Sequence, residues 1–105
     1  MPVAHKRARA KRDIVEHYVY LAEHGDIDTA QRFLANAGET FSDLSRNPHM
    51  GAPLSWRSPK LAELRKWRVS GFENFLVFYL PRPDGVTIVR VLHAAQDWWS
   101  ALGIL

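Results

Sequence analysis

A histidine and an arginine at the end of one apolar run are the residues best suited to chemistry. Arg90 and His93 close the stretch Val86–His93, and Asp97 follows on the same chain. Imidazole can transfer protons near neutral pH and guanidinium can bind phosphate, so this pair could support RNA cleavage. The alternative is a structural histidine whose ring hydrogen-bonds Asp97 or the backbone at a strand end, and the residue types alone favour it.

Cations in a second run could supply the rest of a phosphate-binding surface. Arg65 and Arg68 lie beside Lys66 and Trp67 in a strand-like segment. Because side chains alternate along a strand, Arg65 and Trp67 are predicted on one face and Lys66 and Arg68 on the other. The division of the cations between two faces weakens the hypothesis of one phosphate-binding patch.

Two adjacent tryptophans, Trp98 and Trp99, follow the last strand-like run. Neighbouring residues of a helix do not face each other, so we expect one ring in the core and the other exposed. An exposed tryptophan could anchor a protein partner or stack on a base.

Nothing in the sequence indicates a metal or a cofactor. P-loop, dinucleotide-binding, zinc-protease and nucleophile-elbow motifs are absent. His17 and His24 lie two turns apart on a predicted helix, too far for one metal ion without a third ligand. We interpret them, with His5 and His49, as ordinary surface residues.

Length and composition predict one domain over residues 1–105, with 47% hydrophobic residues and no cysteine. Disulfides and thiolate–metal sites are therefore excluded. No apolar run reaches the roughly 18 residues of a bilayer span, and no apolar segment follows the basic N-terminus. We expect a cytoplasmic protein without a membrane association.

Positive charge is concentrated in two clusters, Lys6–Arg12 and Arg57–Arg68, with an acidic stretch over Asp13–Asp43. Such segregation indicates a partner that is nucleic acid or an acidic protein segment, or simply two solvated faces.

Apolar spacing predicts two helices in the first half of the chain. The first covers Ala8–His24 and ends at Gly25. The second begins at Asp28, with Gln31 completing a capping box, and ends before Pro48. The short link between them predicts an antiparallel helical hairpin.

Strand-like runs fill the second half. Phe75–Leu80 and Val86–His93 are predicted as central strands joined by the five-residue loop Pro81–Gly85, and the basic run before them is a third strand. Pro2–Lys6 is a weak edge strand. The predicted fold is α+β: a small antiparallel sheet of three or four strands against the hairpin, in the order β-α-α-β-β-β, with a short C-terminal helix.

The order of these motifs resembles the RelE/ParE superfamily of toxins from bacterial type II toxin–antitoxin systems. The resemblance covers nearly the whole chain and agrees with the predicted fold. The motifs are Ala8-x4-Asp13-Ile14-x3-Tyr18, Ala30-x2-Phe33, Phe41-x2-Leu44, Pro48-x-Met50-Gly51, Leu64-Arg65-x-Trp67-x-Val69-x-Gly71-Phe72, Phe78-Tyr79 and Val89-Arg90-Val91-Leu92-His93-x3-Asp97.

The resemblance is to the ParE-like branch, whose members inhibit DNA gyrase by protein–protein contact. RelE-like members are ribosome-dependent mRNA endonucleases that need clustered cations, an acid or base, and often a tyrosine or histidine near the C-terminus. This chain has Ala94-Ala95 at that place and no arginine within Phe75–Leu80. It departs from the ParE pattern at Gln96, where the branch usually has arginine, and in its short, charged first strand.

The resemblance implies a gyrase inhibitor, not an enzyme, neutralised by a ParD-like antitoxin in a hetero-oligomer that reaches operator DNA only through the antitoxin. The alternatives are a RelE-like endoribonuclease acting on mRNA at the ribosome, and a non-toxic relative that only binds its antitoxin. The candidate target-binding residues are Arg90, His93, Gln96, Asp97, Trp98 and Trp99. The candidate antitoxin-binding residues are Tyr18, Phe33, Arg57, Lys60, Arg65, Lys66 and Arg68. The candidate nuclease residues are Arg65, Arg68, Arg90 and His93.

Overall fold

The computed structural model describes residues 1–54 and 63–103 and has the predicted α+β architecture, with a helical hairpin against one sheet. The elements are β1 (Val3–Lys6), α1 (Ala8–His24), α2 (Ile27–Arg46), β2 (Ala52–Pro53), β3 (Arg65–Val69), β4 (Phe72–Arg82), β5 (Gly85–His93) and α3 (Trp98–Ala101).

The sheet is mixed and larger than the sequence predicts. Among the described residues it has five strands, in the order β1-β5-β4-β3-β2. Neighbours pair antiparallel except β1, which runs parallel to β5 with Val3 opposite Gly85 and Lys6 opposite Ile88. β1 and β5 can pair in parallel because a long part of the chain, which includes both helices, separates them; a tight turn would allow only an antiparallel pair.

The second helix begins at a different cap from the predicted one. Asp26, not Asp28, is the N-cap residue, and its carboxylate accepts the Thr29 N–H at 2.7 Å. Asp28 lies in the first turn and pairs with Arg32 at 3.2 Å, where a negative charge favours the helix dipole. The link between the helices is therefore shorter than predicted, and the apolar stripe of α2 is the predicted one.

The sheet buries side chains on both of its faces, as predicted for β4 and β5. Phe33, Phe41 and Leu44 of α2 pack on the face that carries Val77 and Tyr79. On the opposite face the cluster of buried residues is Leu54, Leu64, Phe78 and Leu92, and Trp98, Trp99, Ala101 and Leu102 pack against it. The sheet is thus covered by the hairpin on one side and by the short C-terminal segment on the other.

Side chains of α1 close the edge of β5 where β1 no longer covers it. Asp13 Oδ2 accepts the Val91 N–H at 3.0 Å, and His17 Nε2 donates to the Val91 carbonyl at 2.7 Å. Further along β5, the His93 N–H donates to the side chain of Gln96, at 2.6 Å from Oε1. These groups replace a neighbouring strand and block the pairing that an open edge invites.

A similar arrangement closes the end of β3. Thr40 Oγ1 accepts the Ser70 N–H at 3.0 Å, and Asn36 Nδ2 donates to the Ser70 carbonyl at 3.0 Å. β2 covers only Arg65 and Lys66 of that strand. Each helix therefore contributes hydrogen bonds that finish one margin of the sheet.

The turn between β4 and β5 is tighter than the predicted five-residue loop. Arg82 pairs with Gly85, so only Pro83 and Asp84 lie outside the ladder. The prediction is wrong because Pro81 and Arg82 continue the strand on pairs with Val86 and Gly85. Gly85 has a φ of +145°, which side-chain-bearing residues rarely adopt.

Replacing Gly85 with alanine should detach β1 from the sheet. The new Cβ would collide with the Val3 backbone, in addition to the strain at positive φ. Hydrogen exchange should show faster exchange at Val3 and Arg7, whose N–H groups now bond the Asp84 and Ile88 carbonyls. The matched control is Gly38→Ala in α2, where a Cβ meets no atom within 4 Å and should stabilise by about 0.5–1 kcal/mol. Unchanged exchange in the Gly85 variant would contradict this role.

Candidate functional site

Arg90 is held inside an ion pair that joins three elements. Its Nε and Nη2 donate to Asp13 Oδ2 at 2.7 Å and Oδ1 at 3.0 Å, while Nη1 donates to the Ala101 carbonyl at 2.9 Å. The side chains of Arg90 and Asp13 are 12% and 3% exposed. The guanidinium therefore ties α1 to the C-terminal segment around the edge of β5, and each of its three nitrogens already has a partner within the protein.

His93 is fixed by its own chain. Its Nδ1 accepts the Ala95 N–H at 3.0 Å, and its ring packs edge-on against Phe75 with centroids 5.0 Å apart. Because Nδ1 accepts this bond, Nε2 is the ring nitrogen left to donate. Of the two partners that the structural interpretation offered for His93, Asp97 or the backbone, the structure has the backbone, at Ala95.

Gln96 and Asp97 shape the segment between β5 and α3. The side chain of Gln96 accepts the His93 N–H. The backbone N–H of Gln96 donates to the His93 carbonyl at 2.9 Å and closes the turn after β5. Asp97 is the N-cap of α3 and accepts Ser100 Oγ–H at 2.7 Å. Both side chains are exposed and remain candidates for contact with a target, but each also has a local structural partner.

The two tryptophans share one apolar cluster, so the prediction of one buried and one exposed ring is wrong. Their centroids are 3.9 Å apart, and Trp98 also packs on Phe78 at 5.2 Å and beneath Lys66 Nζ at 5.4 Å. Both rings are half-buried. Because α3 has only four residues, the two long side chains can turn toward the same side and cover the sheet.

The candidate nuclease residues do not come together. His93 lies opposite Phe75 of β4 and Arg65 lies opposite Tyr79 of the same strand. The two sites are about 13 Å apart along the sheet and about 10 Å apart across it. Because Arg90 is paired with Asp13, the described residues place no free cluster of cations beside the imidazole of His93.

The basic run on β3 is divided, as alternation predicts. Arg65 Nη1 donates to the carbonyls of Gly51 at 2.6 Å and His49 at 3.2 Å, whereas Lys66 lies over Trp98 on the other face. Arg68 is exposed and stacks over Trp67 at 4.6 Å. Arg57 and Lys60 lie outside the described residues.

The two aromatic candidates for antitoxin contact are placed differently. Tyr18 is half-buried on α1, so part of its ring is accessible. Phe33 is 0% exposed and packs against Phe72 and Phe75 with centroids 5.5 and 4.9 Å away. Its assignment to a binding surface is therefore corrected: the side chain belongs to the core, since the predicted stripe of α2 faces the sheet.

Asp13 and His17 are the site residues that the sequence interpretation missed. Asp13 is buried and ties Arg90 to Val91, and His17 is half-buried and not an ordinary surface residue. One signal was present: both positions follow Ala10 on the buried side of the α1 helical wheel, where a polar residue needs a partner. Within residues 1–54 and 63–103, no three histidine or acidic side chains gather as metal ligands.

Stability should decline when the pH falls below about 6.5, the usual pKa of histidine, because of His17. Burial lowers the pKa of His17, against the opposing effects of the Val91 hydrogen bond and of Asp13 and Glu16, while His93 adds to the lowering. As the pH falls, His17 is therefore protonated in the unfolded chain before it is protonated in the folded chain. The stability that is present above the pKa of the unfolded state is lost as the pH falls toward the pKa of the folded state.

Urea unfolding between pH 7.5 and 5.5 measures this effect. His17→Gln keeps a donor near the Val91 carbonyl but removes the titration, so its stability should depend less on pH than that of the parent chain. Equal slopes for the two proteins would contradict the assignment to His17.

Comparison with known families and structures agrees with this architecture. Residues 6–98 match the family model described as the ParE toxin of the parDE type II toxin–antitoxin system. A solved structure described as a chromosomal ParDE toxin–antitoxin system from P. aeruginosa superposes with a TM-score of 0.71 at 15% identity, covering 89% of this chain and 96% of that one. No curated protein matches the sequence. No helix among the described residues is long and apolar enough to cross a membrane.

Proposed function

This chain belongs to the ParE family of toxins from type II toxin–antitoxin systems, and we propose that it inhibits DNA gyrase in the cytoplasm by binding and is neutralised by a ParD-like antitoxin. The observation that carries binding over catalysis is the Arg90–Asp13 pair. A nuclease would need the Arg90 guanidinium free for phosphate, and here its nitrogens are bonded to a buried carboxylate and to the Ala101 carbonyl.

The proposed target-binding surface is the exposed end of the molecule formed by Ala94–Asp97 and the accessible parts of Trp98 and Trp99. Backbone bonds to His93 and the cap at Asp97 hold this segment in one conformation. A surface fixed before binding loses little conformational entropy on association, and half-buried tryptophans are effective anchors. Arg90 and His93 support this surface from beneath.

The antitoxin is proposed to bind at the margin of the sheet formed by β1. β1 is the first strand in the sheet order, and its outer side has no neighbouring strand among the described residues. His5, Lys6 and Arg7 on or beside it are exposed. An extended acidic segment could therefore add as a strand along β1 while its charge meets these cations.

A helical part of the antitoxin would find an apolar surface on the hairpin. Val15 and Val19 of α1 are 60% and 44% exposed, one turn apart, and Leu34 of α2 is 41% exposed. Tyr18 lies one turn after Val15 on the same helix. These side chains offer the contacts that an amphipathic helix makes in a groove.

Induction of the chain in bacteria tests the proposal in cells. We expect growth arrest together with loss of negative supercoiling in a reporter plasmid, and intact reporter mRNA by primer extension. Cleaved mRNA that disappears with His93→Ala would favour the endonuclease instead. Normal growth with a folded protein would favour the non-toxic relative.

A further inference from the structure

A cleft of about 450 Å³ lies between the loop that follows α2 and the β4–β5 turn. Its basic lining residues are His49, Arg65 and Arg82. The cleft lies at the opposite end of β4 and β5 from His93 and Gln96, so it is separate from the proposed target-binding surface.

The wall of the cleft formed by the loop is fixed in place. The Tyr79 hydroxyl donates to the Pro48 carbonyl and accepts the Gly51 N–H, both at 2.8 Å. Arg65 Nη1 then donates to the His49 and Gly51 carbonyls of the same loop. The guanidinium is therefore held in one orientation before any ligand arrives.

Arg65 is half-buried, yet no described carboxylate lies within 4.0 Å of it. The loop carbonyls occupy Nη1 alone. Removing a charge from water without an opposite charge is costly, so a fixed, half-buried guanidinium favours an anion from outside.

Arg82 brings a second cation to the cleft with most of its donors unused. Its Nε donates to Thr87 Oγ1 at 3.1 Å, which directs the side chain without neutralising it. Neither Nη atom has a partner among the described residues. Three prolines, Pro53, Pro81 and Pro83, line much of the remaining surface and limit movement of its backbone.

We propose that this cleft binds a carboxylate of an acidic segment of the antitoxin, an assignment of the partner that rests on the proposed function. Guanidinium groups bind carboxylates through paired N–H donors, and Arg65 and Arg82 both have donors to offer. Glu63 also lines the cleft. Its negative charge opposes the closely spaced charges of a nucleic-acid backbone more strongly than the single charge of one carboxylate, so nucleic acid is the poorer ligand.

Titration of the full chain with N-acetylglutamate N-methylamide, followed at the arginine Nε–H signals by NMR, tests the cleft. We expect saturable shifts at Arg65 and Arg82, and much smaller ones with the uncharged glutamine analogue. Arg82→Gln and Arg65→Gln should each weaken binding by about fivefold or more. The control is Arg32→Gln, an exposed arginine paired with Asp28 on α2, which should bind as the parent does.

Arg82 is exposed, so its variant should fold even if Arg65→Gln does not. Equal shifts with the glutamine analogue, tighter binding of inorganic phosphate, or undiminished binding by Arg82→Gln would each overturn the proposal. The assay needs neither gyrase nor antitoxin. If the glutamate derivative binds the cleft but purified gyrase is unaffected by the chain, the proposed function fails and the carboxylate site stands.

Discussion

Replacing Asp13 with alanine is expected to lower the free energy of unfolding by about 3–5 kcal/mol, because it leaves the largely buried Arg90 guanidinium without its counter-charge. The change also removes the acceptor of the Val91 N–H at the margin of β5. A buried N–H without a partner adds to the loss. Urea denaturation followed by circular dichroism measures the change.

The matched control is Asp43→Ala, which breaks an arginine–carboxylate pair of equal length on the exposed surface of α2. Asp43 and Arg46 are 2.7 Å apart, but their side chains are 54% and 56% exposed. Solvent-exposed pairs contribute about 0–1 kcal/mol, so this variant should remain close to the parent. Similar losses for the two variants would show that Arg90 finds another partner when Asp13 is removed.

Phe33→Ala should lower the free energy of unfolding by a similar amount, about 3–5 kcal/mol, because a fully buried aromatic ring is lost and a cavity remains. Its ring contacts Phe72 and Phe75 as well as the His17 imidazole, at a centroid distance of 6.1 Å. Thermal or urea unfolding of the variant measures the loss.

Phe33→Leu and Tyr18→Ala separate packing from binding. The leucine variant keeps most of the apolar volume, so it should lose less stability than Phe33→Ala and bind the antitoxin as the parent does. Tyr18→Ala removes a half-buried ring and should weaken antitoxin binding more than it weakens the fold. A lower antitoxin affinity for a folded Phe33→Leu protein would contradict the assignment of Phe33 to the core alone.

Local periodicity was enough to predict the helices and the long strands. The single apolar stripe of α2 requires one buried face, and Phe33, Phe41 and Leu44 indeed pack on the sheet. α1 has the predicted bounds at Ala8 and His24. The N-cap residue of α2 could not be predicted in the same way, because Asp26 and Asp28 both offer a carboxylate and only the backbone conformation decides between them.

Pairing between distant segments could not be read from the sequence. The parallel contact of β1 with β5 joins residues about eighty positions apart, and a four-residue charged strand has no pattern that specifies its neighbour. β2 is only Ala52–Pro53 and has no strand signature of its own. Both strands exist because long strands leave backbone groups that a nearby segment can pair.

Part of the site was predicted and part required the fold. Ala94-Ala95 and the alternation of Arg65 with Lys66 already argued against a nuclease. The capture of Arg90 by Asp13, 77 positions earlier, depends on how α1 lies along β5. The cleft at Arg65 and Arg82 likewise depends on the turn of α2 into its loop and on the register of β4 with β5.

The central claim is that the folded chain acts on gyrase by binding. A supercoiling assay with purified gyrase, relaxed plasmid and the purified chain measures this most directly. We expect inhibition at micromolar chain that is reversed by the antitoxin and retained in Arg82→Gln, whose substitution lies away from the target-binding surface. Full supercoiling in the presence of a folded chain at that concentration would contradict the account.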